Sequence, residues 1–292
     1  MPTLALTAGN AQNVGGDALL ASVQTPGKSN LFVPLSAGAT PVPGTTLVRK
    51  TLVLTRFLQE QLARLQPMSA AGLAMVPTTV QTQTCTISGD ITIVSGGTSA
   101  TETFNACSDA AGESTNGVIT IGSIAGDASS ISASVSVDLT FSATGFSDLT
   151  FAGSFAFAET GLGGTTITIT LSGSNLTLSQ GTSTQNLGSF TLSTTVDTST
   201  SGTTESASFM FSSPEIGGTV AVTTLSPFQI TPGRTFPHTG TLLITGINGS
   251  AIKITVNGDE SAPAPQVTIQ LDANGDGMFE LTLNKNWSDL TV

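Results

Sequence analysis

Oxygen-bearing side chains are concentrated in the stretch LDANGDGMFELTL near the C-terminus, in a chain where only 9% of residues are charged. They follow the pattern D-x-N-x-D-G-x-x-E, in which the Met at position 7 can offer its carbonyl. Calcium takes about six to eight oxygen ligands in flexible geometry, and alternate residues of a tight loop converge on one point. The spacing therefore predicts a calcium site. Its candidate ligands are Asp272, Asn274, Asp276, Met278 and Glu280.

The segments on either side of this loop, QVTIQL and FELTL, alternate as strands do, so the loop is predicted to close a β-hairpin. An EF-hand would place its glutamate at position 12, where this chain has Leu283. Residues 272–280 resemble the short calcium loops of integrin-type β-propeller blades, and the resemblance implies a local metal clip that staples the hairpin. A plain turn stays open as the alternative, because Asn, Gly and Asp are also what hairpin turns use.

Other arrangements that do chemistry are missing from the sequence. There is no GxSxG, HExxH, P-loop or dinucleotide-binding pattern, and the single histidine, His238, has no Ser nucleophile motif near it. Glycan hydrolysis by paired carboxylates needs a spatial arrangement that a sequence does not display. One Trp and no Tyr weigh against a sugar site. We therefore expect no enzymatic activity.

The two cysteines, Cys85 and Cys107, both lie in strand-like stretches, TQTCTISGD and TETFNACSD. An even count in a strand-rich chain favours one disulfide and an oxidising compartment, and two buried free thiols are the alternative. The first residues, MPTLALTAGN, lack the basic and apolar regions of a signal peptide. The chain is thus either cytosolic or a mature exported form. The disulfide and the calcium-type loop favour export to the cell surface or the extracellular space.

Positive charge is segregated along the chain. Beyond residue 66 the cations are Arg234, Lys253 and Lys285, whereas only two of the 19 acidic residues, Asp17 and Glu60, lie before residue 66. Phosphate binding needs clustered Lys and Arg, so a nucleic-acid partner is not expected. No apolar run approaches the ~18 residues of a transmembrane helix, so no transmembrane segment is predicted.

The pattern divides the chain into an N-terminal arm, a helix and a long β region. Residues 1–44 form an extended, Pro-containing arm with a short helix after Thr7. Residues 45–66, TTLVRKTLVLTRFLQEQLARLQ, form the strongest predicted helix, which contains four of the eight cations and is apolar around most of its circumference. Such a helix needs cover on most sides, either from its own sheet or between subunits.

From about residue 77 onward, strict period-two alternation predicts antiparallel strands, roughly a dozen to sixteen of them. SISASVSVDLTFSA and DLTFAGSFAFAE are the clearest examples. We predict a mainly β fold, a large antiparallel sandwich or barrel with one α-helix after the extended arm. Residues 77–224 form the main unit and residues 225–292 a smaller C-terminal β unit that carries the hairpin loop.

Three features together are similar to a group of uncharacterised secreted or lipid-anchored β-rich proteins of Gram-negative bacteria. They are an early T-x-x-N-A segment, the strand ending in TFNAC, and the C-terminal sequence GTLLITGINGSAIKITV … VTIQLDANGDGMFE … W. The resemblance covers mainly the last ~60 residues. It implies export and assigns no activity.

Low charge and hydroxyl-rich strands leave a surface that is poor at repelling copies of itself. The leading hypothesis is therefore a non-enzymatic extracellular structural protein, a surface or filament subunit that self-assembles through β surfaces, strand edges or the N-terminal arm. The alternative is a monomeric secreted β protein that binds an apolar or glycan ligand. A glycan-processing enzyme is the third hypothesis.

Overall fold

The computed structural model describes residues 1–22, 78–109, 111–145, 147–213 and 216–290. They form one α-helix, α1 (Ala11–Ser22), and two short 3-10 helices, Ile247–Gly249 and Trp287–Asp289. The rest is mainly strand. The strands are β1 (Thr79–Thr84), β2 (Ser88–Gly96), β3 (Ser99–Ser108), β4 (Glu113–Gly126), β5 (Ser130–Ala143), β6 (Leu149–Thr160), β7 (Thr166–Gln180), β8 (Ser183–Asp197), β9 (Gly202–Ser213), β10 (Gly218–Ile230), β11 (Thr239–Thr245), β12 (Ala251–Val256), β13 (Val267–Asp272) and β14 (Leu281–Lys285).

All fourteen strands belong to one sheet whose order in space is their order in sequence, β1 to β14. Every neighbouring pair is antiparallel, as short turns between consecutive strands require. The mainly β, antiparallel prediction is confirmed. The end strands do not pair with each other, so the sheet is open and is not closed into a barrel.

One face of the sheet, which we call the inward face, holds the apolar core. A single cross-strand row on it runs through the directly paired residues Ile119, Val137, Leu176, Leu187 and Phe211, with Gly153 between the second and third. The five apolar members are all buried. Residues directly opposite each other in antiparallel strands share a face, so period-two alternation places every second side chain of each strand here.

Helix α1 packs on the C-terminal part of the sheet and contacts β9, β11, β12 and β13. The sequence predicts a short helix after Thr7 that Gly15 and Gly16 weaken, and Gly15 is buried where this helix meets the sheet. A Cβ on Gly15 would lie 3.4 Å from Ile254 Cδ1 and 3.5 Å from Ile269 Cγ2, which are ordinary van der Waals distances. Packing on the sheet therefore outweighs the low helix propensity of glycine at this position.

The residues before α1 are bound to their own chain. The N–H groups of Thr3 and Leu4 donate to Thr219 O at the start of β10, at 2.9 and 3.1 Å. In return, Leu4 O accepts from Ile247 N at 2.7 Å, beyond the end of β11. Leu6 is buried in the core beside these contacts. The described part of the predicted arm, residues 1–22, is therefore packed against the sheet of its own chain.

The two predicted β units share one sheet. Strand β10 runs through residue 225, and its pairing with β11 shifts register between Thr224 and Ser226 and again between Ser226 and Gln229. Pro227 lies in this interruption, where a residue without an N–H breaks no regular ladder bond. The turn-rich sequence near 225 thus marks an irregularity within a strand.

Two predictions concern the chain before β1. The predicted helix 45–66 and the arm residues 23–44 lie outside the described residues. Among the described residues, no helix is long and apolar enough to span a membrane.

Candidate metal site and exposed sheet edge

The predicted metal loop joins β13 to β14, and its neighbours hold it in place. Asp272 is the last residue of β13 and is buried, whereas Asn274, Asp276, Met278 and Glu280 are exposed. A Cβ on Gly275 would lie 2.5 Å from Asn248 O and 2.9 Å from Gly249 C, so only glycine fits against the turn between β11 and β12. The hairpin loop predicted from the sequence is therefore seated on a second loop.

The loop is closed by carboxylates that accept backbone N–H groups. Asp272 Oδ1 accepts from Gly275 N at 2.6 Å, and Asp272 Oδ2 accepts from Gly277 N at 2.8 Å. Glu280 Oε2 accepts from Ala273 N at 3.1 Å. Asp272 thus shapes the turn through the two hydrogen bonds that its carboxylate accepts. Its carboxylate can serve the fold and a metal at once.

The other predicted ligands are joined to this network through Asp276. Asn274 Nδ2 donates to Asp276 Oδ2 at 3.1 Å, and Asp276 N donates to Asn274 Oδ1 at 2.9 Å. Met278 N donates to Asp276 Oδ1 at 2.8 Å. Met278 is therefore tied to the loop by its N–H, whereas the sequence had singled out its carbonyl.

Three carboxylates of the loop converge. One oxygen each of Asp272, Asp276 and Glu280 lies within 4.8 Å of the other two. Carboxylate oxygens at such separations suit a hard divalent cation. Asp276 and Glu280 are exposed, so water molecules could fill the remaining positions of a coordination shell of six or more oxygens. The same acids also serve as turn formers, so their geometry fits both interpretations.

The predicted disulfide is present. Cys85, between β1 and β2, is bonded to Cys107 of β3, with Cα atoms 5.5 Å apart. The bond spans 22 residues and therefore ties the first hairpin to the third strand. A disulfide of this kind is typical of proteins that mature in an oxidising compartment.

The hairpin of β1 and β2 forms an edge of unusual exposure. All six residues of β1, TVQTQT, are exposed, and β2 has no buried residue. Val80 is 64% exposed and lies directly opposite Val94, which is 38% exposed, while Ile87 in the connecting turn is also exposed. Among the described strands β1 pairs only with β2, so its outer edge has no described strand beside it.

Within the part of the chain that the structure describes, this edge shows none of the usual protections against pairing with another chain. Natural edge strands are commonly protected from pairing with another chain by a Lys, a Pro or a β-bulge. Strand β1 has no charged residue and no Pro, and its pairing with β2 runs without a register shift from Thr79 to Thr84. At the opposite end of the sheet, β14 is similar in length at five residues but ends in Lys285. Met278 and Phe279 are exposed just before it.

Three acidic side chains lie on the inward face. Their burial there was not predicted from the sequence. Glu102, Glu159 and Glu205 are 1%, 9% and 3% exposed. Glu102 is opposite Ile119 of the apolar row, and Glu159 and Glu205 belong to a second row that also contains Ile169 and Thr194.

A signal for these acids is present in the strand alternation. Glu102 is in phase with Phe104, Glu159 with Phe157, and Glu205 with Phe209. The period-two rule therefore already places the three carboxyl groups among buried aromatic residues. They were missed because acids in strands are usually assigned to the solvent side.

The remaining residues singled out from the sequence are structural. His238 donates its backbone N–H to Gln229 O at 2.9 Å, and its Nδ1 lies 3.1 Å from Thr231 Oγ1. Arg234 forms an ion pair with Asp259 at 3.5 Å. Hydrogen bonds from the Ser261 hydroxyl and N–H, with a smaller contribution from Arg234, hold the pKa of Asp259 below its usual value. Together these contacts fix loops at one end of the sheet.

Comparisons with known proteins add no relative. A scan of protein-family models, a search of the curated proteins and a search of solved structures each found no match to this chain.

Proposed function

We propose that this chain is a non-enzymatic extracellular structural protein, a surface or filament subunit that self-assembles through the edges of its sheet. The observation that carries the proposal is the β1–β2 hairpin, which has no fully buried residue and whose outer strand, β1, is exposed throughout and uncharged. A row of backbone N–H and C=O groups on such a strand is a template for pairing with another chain.

The two ends of the sheet suit a head-to-tail contact. Strand β1 has six residues and β14 has five, so one copy's β1 can pair with the next copy's β14 along nearly the whole of both strands. Such a contact uses two different surfaces, so it builds an open filament unless the rotation between successive copies closes it into a ring. The exposed Val80 of one copy and Phe279 of the other add apolar area at the junction.

Composition and location support the same proposal. With few cations beyond residue 66, no nucleic-acid partner is proposed, and the Thr- and Ser-rich surface offers little charge repulsion between copies. The disulfide supports an exported protein, as does the sequence resemblance to secreted β-rich proteins. Calcium at the β13–β14 loop is part of the proposal, because it would stiffen the hairpin that contains the second edge strand.

The N-terminal arm is the less favoured route to assembly. Its described residues are bound to Thr219 and Ile247 of their own chain, so an exchange between copies would first have to break those contacts. Strand edges need no such rearrangement. The proposal therefore rests on β1 and β14.

Light scattering on a sizing column tests the proposal with the full-length chain. We expect assemblies much larger than the 29.4 kDa monomer, with a mass that grows with concentration. The variant Gln81→Lys/Gln83→Lys places two charges on β1 and should return the protein to the monomer. The matched control Ser136→Lys/Thr150→Lys adds the same charge to exposed positions of β5 and β6 and should leave assembly unchanged.

A monomer at every concentration would contradict edge assembly by this chain alone. Equal disruption by both variants would show that charge, and not the β1 edge, controls association.

A further inference from the structure

The relative direction of the two edge strands follows from the number of strands in the sheet. Strands alternate in direction from β1 to β14, and fourteen is an even number, so β1 and β14 run in opposite directions. A second copy placed beside the first by a shift along the sheet therefore brings its β1 antiparallel to the first copy's β14. The sheet then continues from copy to copy with the alternation that it has within one copy.

The side chains of both edge strands divide between the same two faces. Gln83 of β1 pairs with Ile91, which pairs with the buried Phe104, so Gln83 lies on the inward side. Leu281 of β14 pairs with the buried Leu271 and lies on the same side. By alternation, every second residue of each edge strand shares this side: Thr79, Gln81 and Gln83 of β1, and Leu281, Leu283 and Lys285 of β14. Directly opposite residues share a face, so in a continuous sheet these two sets must pair with each other.

The outward-pointing backbone groups of β1 belong to the residues between these. Cys85 N donates to Gly89 O at 3.1 Å, which extends the β1–β2 ladder by one hydrogen-bonded pair. Backbone groups alternate in direction along a strand, so Val80 and Thr82 direct their N–H and C=O groups away from β2. These groups are the ones that β1 offers to another strand.

The same reasoning identifies the groups that β14 offers. Asn257 N donates to Gln266 O at 2.7 Å, which is the next hydrogen-bonded pair of the β12–β13 ladder. Alternation carried through the regular pairing of β13 with β14 leaves Thr282 and Asn284 with backbone groups that point away from β13. Both edges thus offer backbone groups from residues whose side chains lie on the outer face.

We propose that successive copies are joined by a shift alone, with β1 antiparallel to β14, Val80 opposite Asn284 and Thr82 opposite Thr282. In this register all five residues of β14 have a partner in β1, the inward faces are continuous and the outward-pointing backbone groups meet. A register shifted by one residue exchanges the faces, and one shifted by two leaves one or two residues of β14 without a partner. The inference rests on the proposed edge assembly and specifies the geometry of its contact.

This register also gathers exposed apolar side chains at one corner of the junction. Met278 and Phe279, just before β14, are 71% and 36% exposed. Ile87, in the turn after β1, is 55% exposed. The end of β1 and the start of β14 meet in an antiparallel joint, so the three side chains come together and assembly removes apolar area from water.

The other head-to-tail joint has one copy turned over, which makes the two edge strands parallel. The apolar inward face of one copy would then lie beside the outer face of the next, so the core would change sides at every junction. Ile87 would also be separated from Met278 and Phe279 by the length of the strands. A shift without turning, apart from the ordinary twist of a sheet, avoids both faults.

Disulfide cross-linking between full-length variants with one added cysteine tests the joint. The native cysteines are bonded to each other, so each variant has a single free thiol. Thr79→Cys mixed with Lys285→Cys and oxidised with Cu(II)-phenanthroline should cross-link, because Cα atoms of such a pair lie about 4.5 Å apart, within disulfide range. The matched control, Thr79→Cys with Leu281→Cys, lies four residues away along β14, or about 13 Å, and should give at least about tenfold less dimer.

A cysteine at the other end of β1 reverses the pattern. Gln83→Cys should cross-link with Leu281→Cys and not with Lys285→Cys. Cross-linking of Thr79→Cys with Thr282→Cys would show the parallel, turned-over joint, and cross-linking of Thr79→Cys with Gln83→Cys would show a contact between two β1 strands. Either result, or equal cross-linking of Thr79→Cys at both positions of β14, would overturn the proposal.

Hydrogen exchange of the unmodified chain keeps the proposal testable if an added cysteine prevents folding. On assembly the amides of Val80, Thr82, Thr282 and Asn284 should exchange at least about tenfold more slowly, whereas the amides between them, already bonded within each copy, should change little. Unchanged exchange at these four amides would overturn the joint. Protection already present in the dilute monomer would show that the edges are paired within one copy and would overturn it as well.

The joint and self-assembly itself fail in different ways. A monomer at every concentration by light scattering overturns self-assembly and the joint with it. Large assemblies that lack both the Thr79–Lys285 cross-link and the alternating protection overturn the joint alone and leave self-assembly standing.

Discussion

Trp287 stacks on Phe236 with ring centroids 4.5 Å apart and planes 8° from parallel. The contact joins the loop after β10 to the 3-10 helix that follows β14. Trp287 also donates its indole N–H to Gly258 O at 2.9 Å and its backbone N–H to Gln266 Oε1 at 3.2 Å. This one residue, 2% exposed, therefore ties together three separate segments: the loop after β10, the loop between β12 and β13, and the 3-10 helix after β14.

We expect Trp287→Ala to lower the free energy of unfolding by about 3–5 kcal/mol, since it leaves a large cavity and removes the stack. Trp287→Phe keeps the apolar contact and loses the indole donor, so it should cost about 1–3 kcal/mol for the carbonyl left unpaired. Urea unfolding followed by circular dichroism measures both. Leu225→Ala, at an exposed residue of β10 away from both edge strands, is the control and should stay within about 0.5 kcal/mol of wild type.

The disulfide is predicted to matter most at the exposed edge. Cys85→Ala/Cys107→Ala should lower the free energy of unfolding by about 3 kcal/mol, the chain-entropy effect of a loop of this length. The first hairpin has no fully buried residue, so its amides should lose hydrogen-exchange protection before those of β5 and β6 do. A uniform loss across the sheet would contradict this local role.

Calcium is predicted to raise the thermal midpoint of unfolding relative to EDTA. The added stability depends on the affinity of the loop for calcium, and it is about 2.7 kcal/mol at a calcium concentration 100 times the dissociation constant. Asp276→Asn/Glu280→Gln should abolish the calcium effect with little change in EDTA, because both residues are exposed. Asp272→Asn should destabilise the protein in EDTA as well, because the Asp272 carboxylate accepts two backbone N–H groups.

Scanning calorimetry with calcium, magnesium and EDTA distinguishes these cases. An unchanged midpoint at about 10 mM calcium, above the range of weak extracellular sites, would reduce the loop to a hairpin turn.

Acid should destabilise the protein through a turn that recurs three times. Asp127, Asp197 and Asp259 each accept hydrogen bonds from the hydroxyl and N–H of the serine two residues later. The serine hydroxyl is the largest cause that lowers each pKa. Because the folded pKa lies below the unfolded one, the unfolded chain binds protons first. The stabilisation is therefore complete above the unfolded pKa and is lost as pH falls through the folded pKa.

Urea midpoints measured from pH 7 down to about pH 2 should therefore decline once the pH drops below the ordinary Asp range near 4. The triple variant Ser129→Ala/Ser199→Ala/Ser261→Ala removes the three hydroxyl donors and should flatten this decline. An unchanged slope in that variant would show that other carboxyl groups control acid stability.

The local sequence pattern alone was sufficient to predict several structural features of this chain. Period-two alternation predicted the strands, and the same alternation orients the side chains, because successive residues of a strand point to opposite faces. The disulfide followed from an even cysteine count in a strand-rich chain. The convergence of Asp272, Asp276 and Glu280 followed from their spacing, since a short loop between two strands leaves its alternate side chains few directions to point.

Tertiary structure decided what local pattern does not encode. TVQTQT has a single apolar residue, Val80, and its sequence does not show that it is the last strand of the sheet; its pairing with β2 alone does. Gly15 reads as a weakness in a helix, yet it is the point where α1 meets Ile254 and Ile269. Alternation records which residues share a face. Which strands are neighbours, which strand is last and what covers each face depend on contacts between residues far apart in the chain.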